Sequence, residues 1–331
     1  MTRDTWILTQ RDIERLIDIT TTIRVVREAF KASARGQTVM PPKLYLPLTG
    51  GNDFRAMPAF IQRPAACGVK WVNVHPNNPK KGLPSVMAVI VINDPTTGVP
   101  LAIMDGLFIT KLRTAAAAAV AAQALARPKS RIIGLIGCGA QADAQLLAHA
   151  ALFPLTHIKV WGYARGEAQR FIRRTRHLLP KRIRWESCPT IESCSRNVDI
   201  LMTLTPSRKP LVKREWLSPG THIGAIGADA PGKQELDPRI LRDALVVVDD
   251  RIQAVHAGEI NVPVAKKQFS LKRIHATLGD ILIGRARGRR SPRDLTVFDS
   301  TGLAILDVAV GHEIVRRARH HHLGRRLALF S

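Results

Sequence analysis

Residues 132–142 read IIGLIGCGAQA, an apolar strand pattern that breaks into Gly-x-Gly-x-x-Ala and then continues as a helix. Gly137 permits a tight turn, Gly139 lets the backbone approach a pyrophosphate closely, and Ala142 is small enough for the helix to pack against the strand. The free N–H groups and the positive dipole end of this helix favour an anion. The stretch therefore predicts a dinucleotide-binding site, and the alternative is an ordinary glycine-rich turn.

Short apolar segments alternate with helical patterns from this stretch onward. The predicted strands span residues 131–136, 158–162, 183–186, 199–204, 222–226, 244–249 and 295–298. Strands that alternate with helices are typical of a parallel, doubly wound sheet. We therefore predict an α/β fold with a Rossmann NAD(P)-binding domain over residues 128–302.

The N-terminal part of the chain has a different pattern. Residues 12–36 have apolar side chains at helical spacing, as one helix or two, and Thr9 is a candidate cap. The strand-like segments that follow span residues 43–48, 54–57, 67–74, 86–93 and 100–105. They predict an antiparallel, hairpin-rich sheet backed by at least one helix.

These patterns predict two domains. An α+β substrate-binding and dimerisation domain would cover residues 1–127 and end in an alanine-rich helix over residues 109–127. A final helix, residues 303–319, is expected to return with the tail up to residue 331 and pack on this domain. The alternative for that helix is a last Rossmann helix.

The composition is that of a globular protein. Its 331 residues, 45% of them hydrophobic, suffice for two domains that each have a core. No stretch approaches the ~20 apolar residues of a membrane span, and the charged N-terminus lacks a signal segment, so we expect a cytoplasmic protein with no membrane partner. The cysteines are Cys67, Cys138, Cys188 and Cys194. They form no CxxC pair, which predicts reduced thiols and no metal site.

The formal net charge of +24 raises the question of nucleic-acid binding. Arginines cluster in residues 285–290 and in the tail over residues 316–326. Both clusters lack interleaved aromatic residues, and the chain has no helix-turn-helix, zinc-finger or RNA-recognition signature. We therefore predict a solvated basic surface without a specific nucleic-acid partner, and nonspecific polyanion binding by the tail is the alternative.

The end of the second Rossmann strand indicates which nicotinamide cofactor is used. An NAD site normally has an acidic residue there, about 20 residues beyond the glycines, to bind the adenosine ribose. Residues 160–165 read VWGYAR and contain no acid, whereas Arg165 can meet a 2′-phosphate. The pattern favours NADP over NAD, unless Arg165 is only a solvated residue at the start of a helix.

Three polar side chains stand out in apolar or loop contexts that suit a catalytic site. Lys70 lies inside an apolar strand, where burial would lower its pKa and make it a usable acid. Arg113 lies in an apolar helical segment, where its guanidinium can hold a carboxylate through two hydrogen bonds. Asp229 follows a Rossmann strand at its carboxyl end, the edge where ligands bind. The alternative for each is a structural salt bridge.

Seven segments, taken in order between about residues 40 and 310, resemble the ornithine cyclodeaminase/mu-crystallin family, which also includes archaeal-type alanine dehydrogenases and cyclic ketimine reductases. These segments are FRAMPA (54–59), GVKWVNVHP (68–76), NDP (93–95), LRTAA (112–116), GCGAQA (137–142), DAPGKQEL (229–236) and FDSTG (298–302). Several motifs in order are far more specific than a single glycine loop.

The resemblance implies a homodimer in which the N-terminal domain supplies the substrate pocket and the interface, and the Rossmann domain presents NADP or NAD. Lys70 and Arg113 would bind the substrate carboxylate. Asp229, aided by Lys70, would be the general acid/base beside the reacting amine or imine carbon. The implied cofactor contacts are Thr114, Gly137, Gly139, Ala140 and Gln141.

One position bears on the activity within the family. Ornithine cyclodeaminases tend to carry a glutamate where this chain has Arg55, and Lys43 stands where they would have an arginine. A cation at position 55 in the substrate site would repel the ammonium of ornithine and favour a small neutral amino acid or an anionic keto or imino acid. We expect an alanine-dehydrogenase-like or ketimine-reductase-like enzyme. The alternatives are an ornithine cyclodeaminase and a non-catalytic, mu-crystallin-like binding protein.

Overall fold

The computed structural model describes residues 4–329 as strands, helices and their connections. The strands are β1 (Asp4–Leu8), β2 (Thr38–Val39), β3 (Leu44–Pro47), β4 (Asp53–Ile61), β5 (Ala66–Val74), β6 (Val86–Asn93), β7 (Pro100–Asp105), β8 (Ile132–Ile136), β9 (His157–Trp161), β10 (Arg184–Ser187), β11 (Ile200–Thr203), β12 (His222–Ala225), β13 (Leu245–Val248), β14 (Ile274–Thr277), β15 (Thr296–Asp299) and β16 (Arg325–Ala328). The helices are α1 (Gln10–Leu16), α2 (Ile19–Ala34), α3 (Leu107–Leu125), α4 (Ala142–Ala150), α5 (Glu167–Thr175), α6 (Ile191–Ser195), α7 (Pro238–Asp243), α8 (Arg251–Ala257), α9 (Asn261–Ala265), α10 (Leu278–Leu282) and α11 (Ala304–His321).

The chain divides into two compact units. Unit 1 contains the residues up to Arg113 and those from Leu303 onward, and unit 2 contains Thr114–Gly302. The first boundary therefore lies inside α3, whereas the sequence placed it after this helix, between residues 127 and 128. The reason is that the second half of α3, with Ala118 and Ala122, packs into the apolar core of unit 2.

Unit 1 is built on an eight-stranded sheet within the described residues. Its order is β16-β1-β7-β6-β5-β4-β2, with β3 paired to β4. The neighbours are antiparallel except β1 and β7. Helix α11 packs on β4, β5 and α2. Gly311 lets α11 approach β6 closely, because a Cβ at this position would lie 2.9 Å from the Ile92 side chain.

The helix starts in unit 1 show which capping residues were predictable. Thr9 caps α1 in a capping box with Asp12, which confirms the candidate cap. Helix α2 is separate from α1, and its cap is the Asp18 carboxylate, which accepts a hydrogen bond from the Thr21 N–H. Residues 12–36 therefore form two helices, and a carboxylate caps the second one.

Unit 2 is a parallel doubly wound sheet, as the sequence predicts. Its eight strands run in the order β10-β9-β8-β11-β12-β15-β13-β14. The central strands are buried along their whole length, which suits a sheet covered by helices on both faces. The chain runs from β8 outward to β10 and then returns to β11 on the other side of β8. This reversal is the switch point where ligands bind, and the glycine-rich stretch follows β8 there.

Four of the described strands lie outside the segments that the sequence singled out. They are β1, β2, β14 and β16. Strand β16 is exposed along its length and pairs only with β1 among the described strands, so no apolar alternation marks it. Among residues 4–329, no helix combines the length and apolar composition that a membrane crossing needs.

Candidate active site

Lys70 lies in the middle of β5, on the face of the sheet that is covered by helices. It pairs with Met57 of β4 and Ile90 of β6, both of which are buried. Only 1% of Lys70 is exposed, as expected for a position that alternates with half-exposed residues along a half-buried strand. An ammonium group in such a place needs a counter-charge.

The counter-charge is Asp307, a fully buried carboxylate in the first turn of α11. The Lys70 Nζ lies 2.8 Å from Asp307 Oδ2, and the Arg113 Nε donates to Asp307 Oδ1 at 2.9 Å. Lys70 also donates to the Thr110 hydroxyl at 3.4 Å. We call Lys70, Asp307 and Arg113 the Lys70 cluster. It joins a strand, the start of α3 and the returning C-terminal helix.

The Lys70 cluster carries one more positive than negative charge when Lys70 is protonated. Burial, followed by repulsion from Arg113, lowers the pKa of Lys70 to about 7, although Asp307 opposes the shift. Lys43 adds a smaller repulsion. Lys70 can therefore gain or lose a proton near neutral pH, as a group in acid-base catalysis must.

Arg55 lies on the same sheet face as Lys70, since Met57 pairs with Lys70 and follows Arg55 by two positions in β4. It is buried, and its Nε and Nη2 donate to the two oxygens of Asp53 at 2.8 and 3.0 Å. The guanidinium also lies over the Tyr45 ring, 5.1 Å from its centre. Arg55 is thus an ion-paired side chain, so its repulsion of an ammonium is weaker than that of an arginine without a carboxylate partner.

The glycine loop of unit 2 has the geometry that a pyrophosphate requires. Gly137 has a φ of +96°, and a Cβ there would crowd the Leu204 carbonyl oxygen at 3.1 Å. At Gly139 a Cβ would meet no described atom within 4 Å, so the backbone is open to a ligand. Ala140 is exposed beside it. The Gln141 Oε1 is buried and has no hydrogen-bond partner among residues 4–329. These residues fit a dinucleotide.

The loop between β9 and α5 packs against the glycine loop. A Cβ at Gly162 would lie 2.8 Å from the Cys138 sulfur. Arg165 is exposed in this loop. Residues 160–165 lack an acid, but Glu167 follows at the start of α5 and accepts the Ala164 N–H at 3.1 Å. This carboxylate lies just beyond residues 160–165, the strand end at which an NAD site normally has its acid.

Asp229 lies in the loop after β12, at the carboxyl edge of the unit 2 sheet. Its Oδ1 accepts a hydrogen bond from the Lys233 Nζ at 2.5 Å, and 43% of its side chain is exposed. Asp229 is therefore a half-exposed carboxylate that pairs with a lysine at this edge of the sheet. Thr114, the other predicted residue near the cofactor, is buried in α3.

In unit 1, Lys70 and Arg113 lie together on one carboxylate, and Arg55 is on the same sheet face as Lys70. In unit 2, the glycine loop and Asp229 both lie at the carboxyl edge of the sheet. Asp307 is the member that sequence reasoning missed. One signal was available, because Asp307 interrupts the apolar run LAILDVAVG over residues 303–311. Among the residues that the structure describes, no group of His, Cys, Asp or Glu is arranged to hold a metal ion.

Known proteins share this architecture over nearly the whole chain. Alanine dehydrogenase of Archaeoglobus fulgidus is 47% identical over 327 residues, which is 99% of each chain. The solved structure of an archaeal alanine dehydrogenase dimer with bound NAD has a TM-score of 0.94 at 46% identity and covers 99% of this chain and 100% of its own. The Δ1-pyrroline-2-carboxylate reductase of Thermococcus litoralis, solved with NADH and L-proline, has a TM-score of 0.94 at 34% identity, with coverages of 98% and 100%.

The family assignment follows from the length of the match. Residues 3–322 match the ornithine cyclodeaminase/mu-crystallin family, and the relatives above exceed 30% identity over almost all of their own length. The seven sequence motifs lie within the matched range. The chain therefore belongs to the ornithine cyclodeaminase/mu-crystallin family.

Proposed function

We propose that this protein is a nicotinamide-dependent oxidoreductase that interconverts a small α-amino acid with its imino or keto acid. The candidate reactions are the oxidative deamination of L-alanine to pyruvate and ammonia, or its reverse, and the reduction of a cyclic ketimine. The observation that carries the proposal is the Lys70 cluster, a buried pair of cations on one carboxylate. The similarity to an alanine dehydrogenase and a pyrroline-carboxylate reductase supports it.

Each candidate residue has a role in this reaction. Lys70 and Arg113 bind the substrate carboxylate, because a guanidinium and an ammonium suit a planar anion. A nicotinamide, when bound, would accept or deliver the hydride. Asp229, aided by Lys70, moves the proton at the nitrogen and activates the water that hydrolyses the imine. Arg55, on the same sheet face as Lys70, would also contact the substrate.

The cofactor contacts that we propose are Thr114, Gly137, Gly139, Ala140 and Gln141. Relatives solved with NAD or NADH support NAD as a cofactor. The exposed Arg165, beyond a strand end that lacks an acid, favours NADP instead. We propose that the site accepts both, with the 2′-phosphate of NADP placed against Arg165.

A homodimer formed through the open face of the unit 1 sheet is part of the proposal. Trp71 of β5 and Val89 of β6 pair in register and are 42% and 45% exposed, and Phe54 stacks on Trp71. A contiguous apolar sheet face of this kind is typical of a protein–protein interface. The archaeal relative is a dimer. We also propose a cytoplasmic location, which the four free cysteines favour.

The test is to incubate the purified protein with NADH or NADPH and each substrate while following the absorbance of the reduced cofactor. We expect oxidation with pyruvate plus ammonia or with a cyclic imine. Net formation of proline from ornithine without net change of cofactor would identify a cyclodeaminase instead. Binding of cofactor without any turnover would indicate a mu-crystallin-like binding protein.

Asp229→Asn tests the proton-transfer role within the same assay. We expect a loss of turnover of about 10²-fold or more, since a positioned acid-base group contributes about that factor. Cofactor binding, measured by fluorescence of the reduced nicotinamide, stays nearly unchanged. Full activity in this variant would mean that Asp229 is not the acid-base group.

A further inference from the structure

The loop that carries Asp229 is fastened at both ends by side chains that take no part in the proposed chemistry. It begins at Gly227, two residues beyond the end of β12, and ends at Lys233. Gly232 near its end has a φ of +78°, which is the left-handed region. Two backbone hydrogen bonds lie within the loop, from the Asp229 N–H to the Gly227 carbonyl oxygen at 3.1 Å and from the Lys233 N–H to the Ala230 carbonyl oxygen at 3.3 Å. The groups that hold its two ends anchor this turn, and with it Asp229, to the rest of unit 2.

Asn261, the buried first residue of α9, holds the end of the loop. Its Oδ1 accepts the Gly232 N–H at 2.9 Å, and its Nδ2 donates to the Lys233 carbonyl oxygen at 2.9 Å. The Nδ2 also donates to the Gly258 carbonyl oxygen. One amide thus satisfies both a donor and an acceptor of the loop backbone. It fixes Lys233, the residue whose ammonium pairs with Asp229.

Glu235 holds the beginning of the loop. Its Oε2 accepts the Gly227 N–H at 2.9 Å, and its Oε1 accepts the N–H and the hydroxyl of Thr205, each at 2.7 Å. Position 227 has no room for a side chain, since a Cβ would lie 2.5 Å from Glu235 Oε2. Thr205 in turn lies against Gly137, where a Cβ would meet its methyl group at 3.0 Å. Glu235 therefore ties the Asp229 loop to the glycine loop.

The backbone at Glu235 is itself held by the segment that supplies Asn261. Glu259 accepts the N–H of Glu235 at 3.0 Å and that of Leu236 at 2.7 Å. Asp299, at the end of β15, accepts the Glu259 N–H at 2.7 Å. The segment around residues 259–261 therefore supports both ends of the loop, directly through Asn261 and indirectly through Glu235.

We propose that Asn261 is a positioning residue, which holds the Asp229–Lys233 pair at the carboxyl edge of the sheet from outside the loop. The importance of this position for turnover rests on the proposed role of Asp229. The hydrogen bonds of Asn261 do not depend on that role, and hydrogen exchange can measure their effect on the loop without substrate. The amide side chain is essential because a carboxylate at this position would repel the Lys233 carbonyl oxygen and a methyl group would contact neither partner.

The experiment compares the full-length wild type with Asn261→Ala and Asn261→Asp by hydrogen exchange and steady-state kinetics. In both variants we expect the peptide covering residues 227–236 to exchange about tenfold faster, because each loses at least one buried hydrogen bond to the loop. We expect kcat to fall about tenfold or more while the KM for the cofactor stays within about twofold.

Thr296→Val is the matched control. It removes a buried hydroxyl that donates to the Leu125 carbonyl oxygen at 3.0 Å and also bonds His222 Nδ1 at 2.9 Å and Arg289 Nη2 at 3.3 Å, in the same unit but at the amino edge of the sheet. We expect a similar loss of stability with unchanged exchange in residues 227–236. Equal exchange of this peptide in the Asn261 variants and the control would overturn the proposal. Faster exchange combined with an active Asp229→Asn variant would uphold the positioning of the loop and overturn the role of Asp229 instead.

Discussion

In unit 1 two cations share the buried carboxylate of Asp307, whereas in unit 2 three buried carboxylates, Glu235, Glu259 and Asp299, are held mainly by backbone N–H groups. We call these three the carboxylate stack. Opposite full charges partly compensate the first group, and peptide dipoles partly compensate the second. Burial still disfavours the charged form of both the lysine and the carboxylates, so the two groups respond to pH in opposite directions.

The direction follows from the protonation of each folded state. The pKa of Lys70 is lowered to about 7, so the folded protein binds fewer protons than the unfolded chain between about pH 7 and 10.5, and the Lys70 cluster favours folding more as pH rises. Burial raises the pKa of Asp299 to about 8 and those of Glu235 and Glu259 above their usual value. The carboxylate stack therefore loses stability as pH rises from about 4 to 8. The Lys70 cluster is suited to changing its charge during a reaction, and the stack to holding loops.

The largest effect is expected from Asp307→Ala, which leaves Lys70 and Arg113 buried without their counter-charge. Breaking a buried ion pair in this way costs about 3–5 kcal/mol of unfolding free energy. Chemical denaturation at neutral pH measures this loss. Adding Lys70→Met to the variant removes one uncompensated cation and is expected to restore part of the stability.

Glu313→Ala is the control on the same helix. Its carboxylate pairs with Arg316 and Arg317, of which Arg316 is mostly exposed, so we expect a loss of about 1 kcal/mol. If Asp307→Ala were no more destabilising than Glu313→Ala, the Lys70 cluster would not be a buried, charge-compensated group.

A smaller effect is expected from Glu259→Gln in the carboxylate stack, which should change the pH dependence of the unfolding free energy by about 1–2 kcal/mol. The amide oxygen still accepts the Glu235 and Leu236 N–H groups, but the side chain no longer takes up a proton. The decrease in melting temperature between pH 5 and pH 8 should be smaller than in the wild type. An unchanged or steeper decrease would contradict the raised pKa of this stack.

The sequence predicted the parts of the fold that rest on local patterns. The glycine loop marked unit 2, alternating strands marked both sheets, and the apolar surroundings of Lys70 predicted its burial. Asp307 could not be predicted as the partner of Lys70 and Arg113. It lies 194 residues from Arg113, and a single acid in an apolar helix does not indicate which residues it contacts. The ion pair of Arg55 with Asp53 was equally hidden, although the two residues lie two positions apart in one strand.

The supports of the Asp229 loop show the same limit. Neither Glu259 nor Asn261 was among the predicted site residues, since hydrogen bonds from an amide to a loop 28–29 residues away leave no local pattern. The domain boundary was predicted after α3, and not inside this helix, for a related reason. A uniform run of alanines does not show where one half of a helix changes its packing partner.

We propose that a buried lysine with a lowered pKa, Lys70, held by Asp307, forms the core of the substrate site. A pH titration of the protein with ¹³Cε-labelled lysine, followed by NMR, tests this property of Lys70, with Lys70→Met to assign the signal. We expect one lysine that titrates near pH 7, in contrast to the usual pKa of about 10.4. A Lys70 signal that titrates at about 10, like the surface lysines, would contradict it.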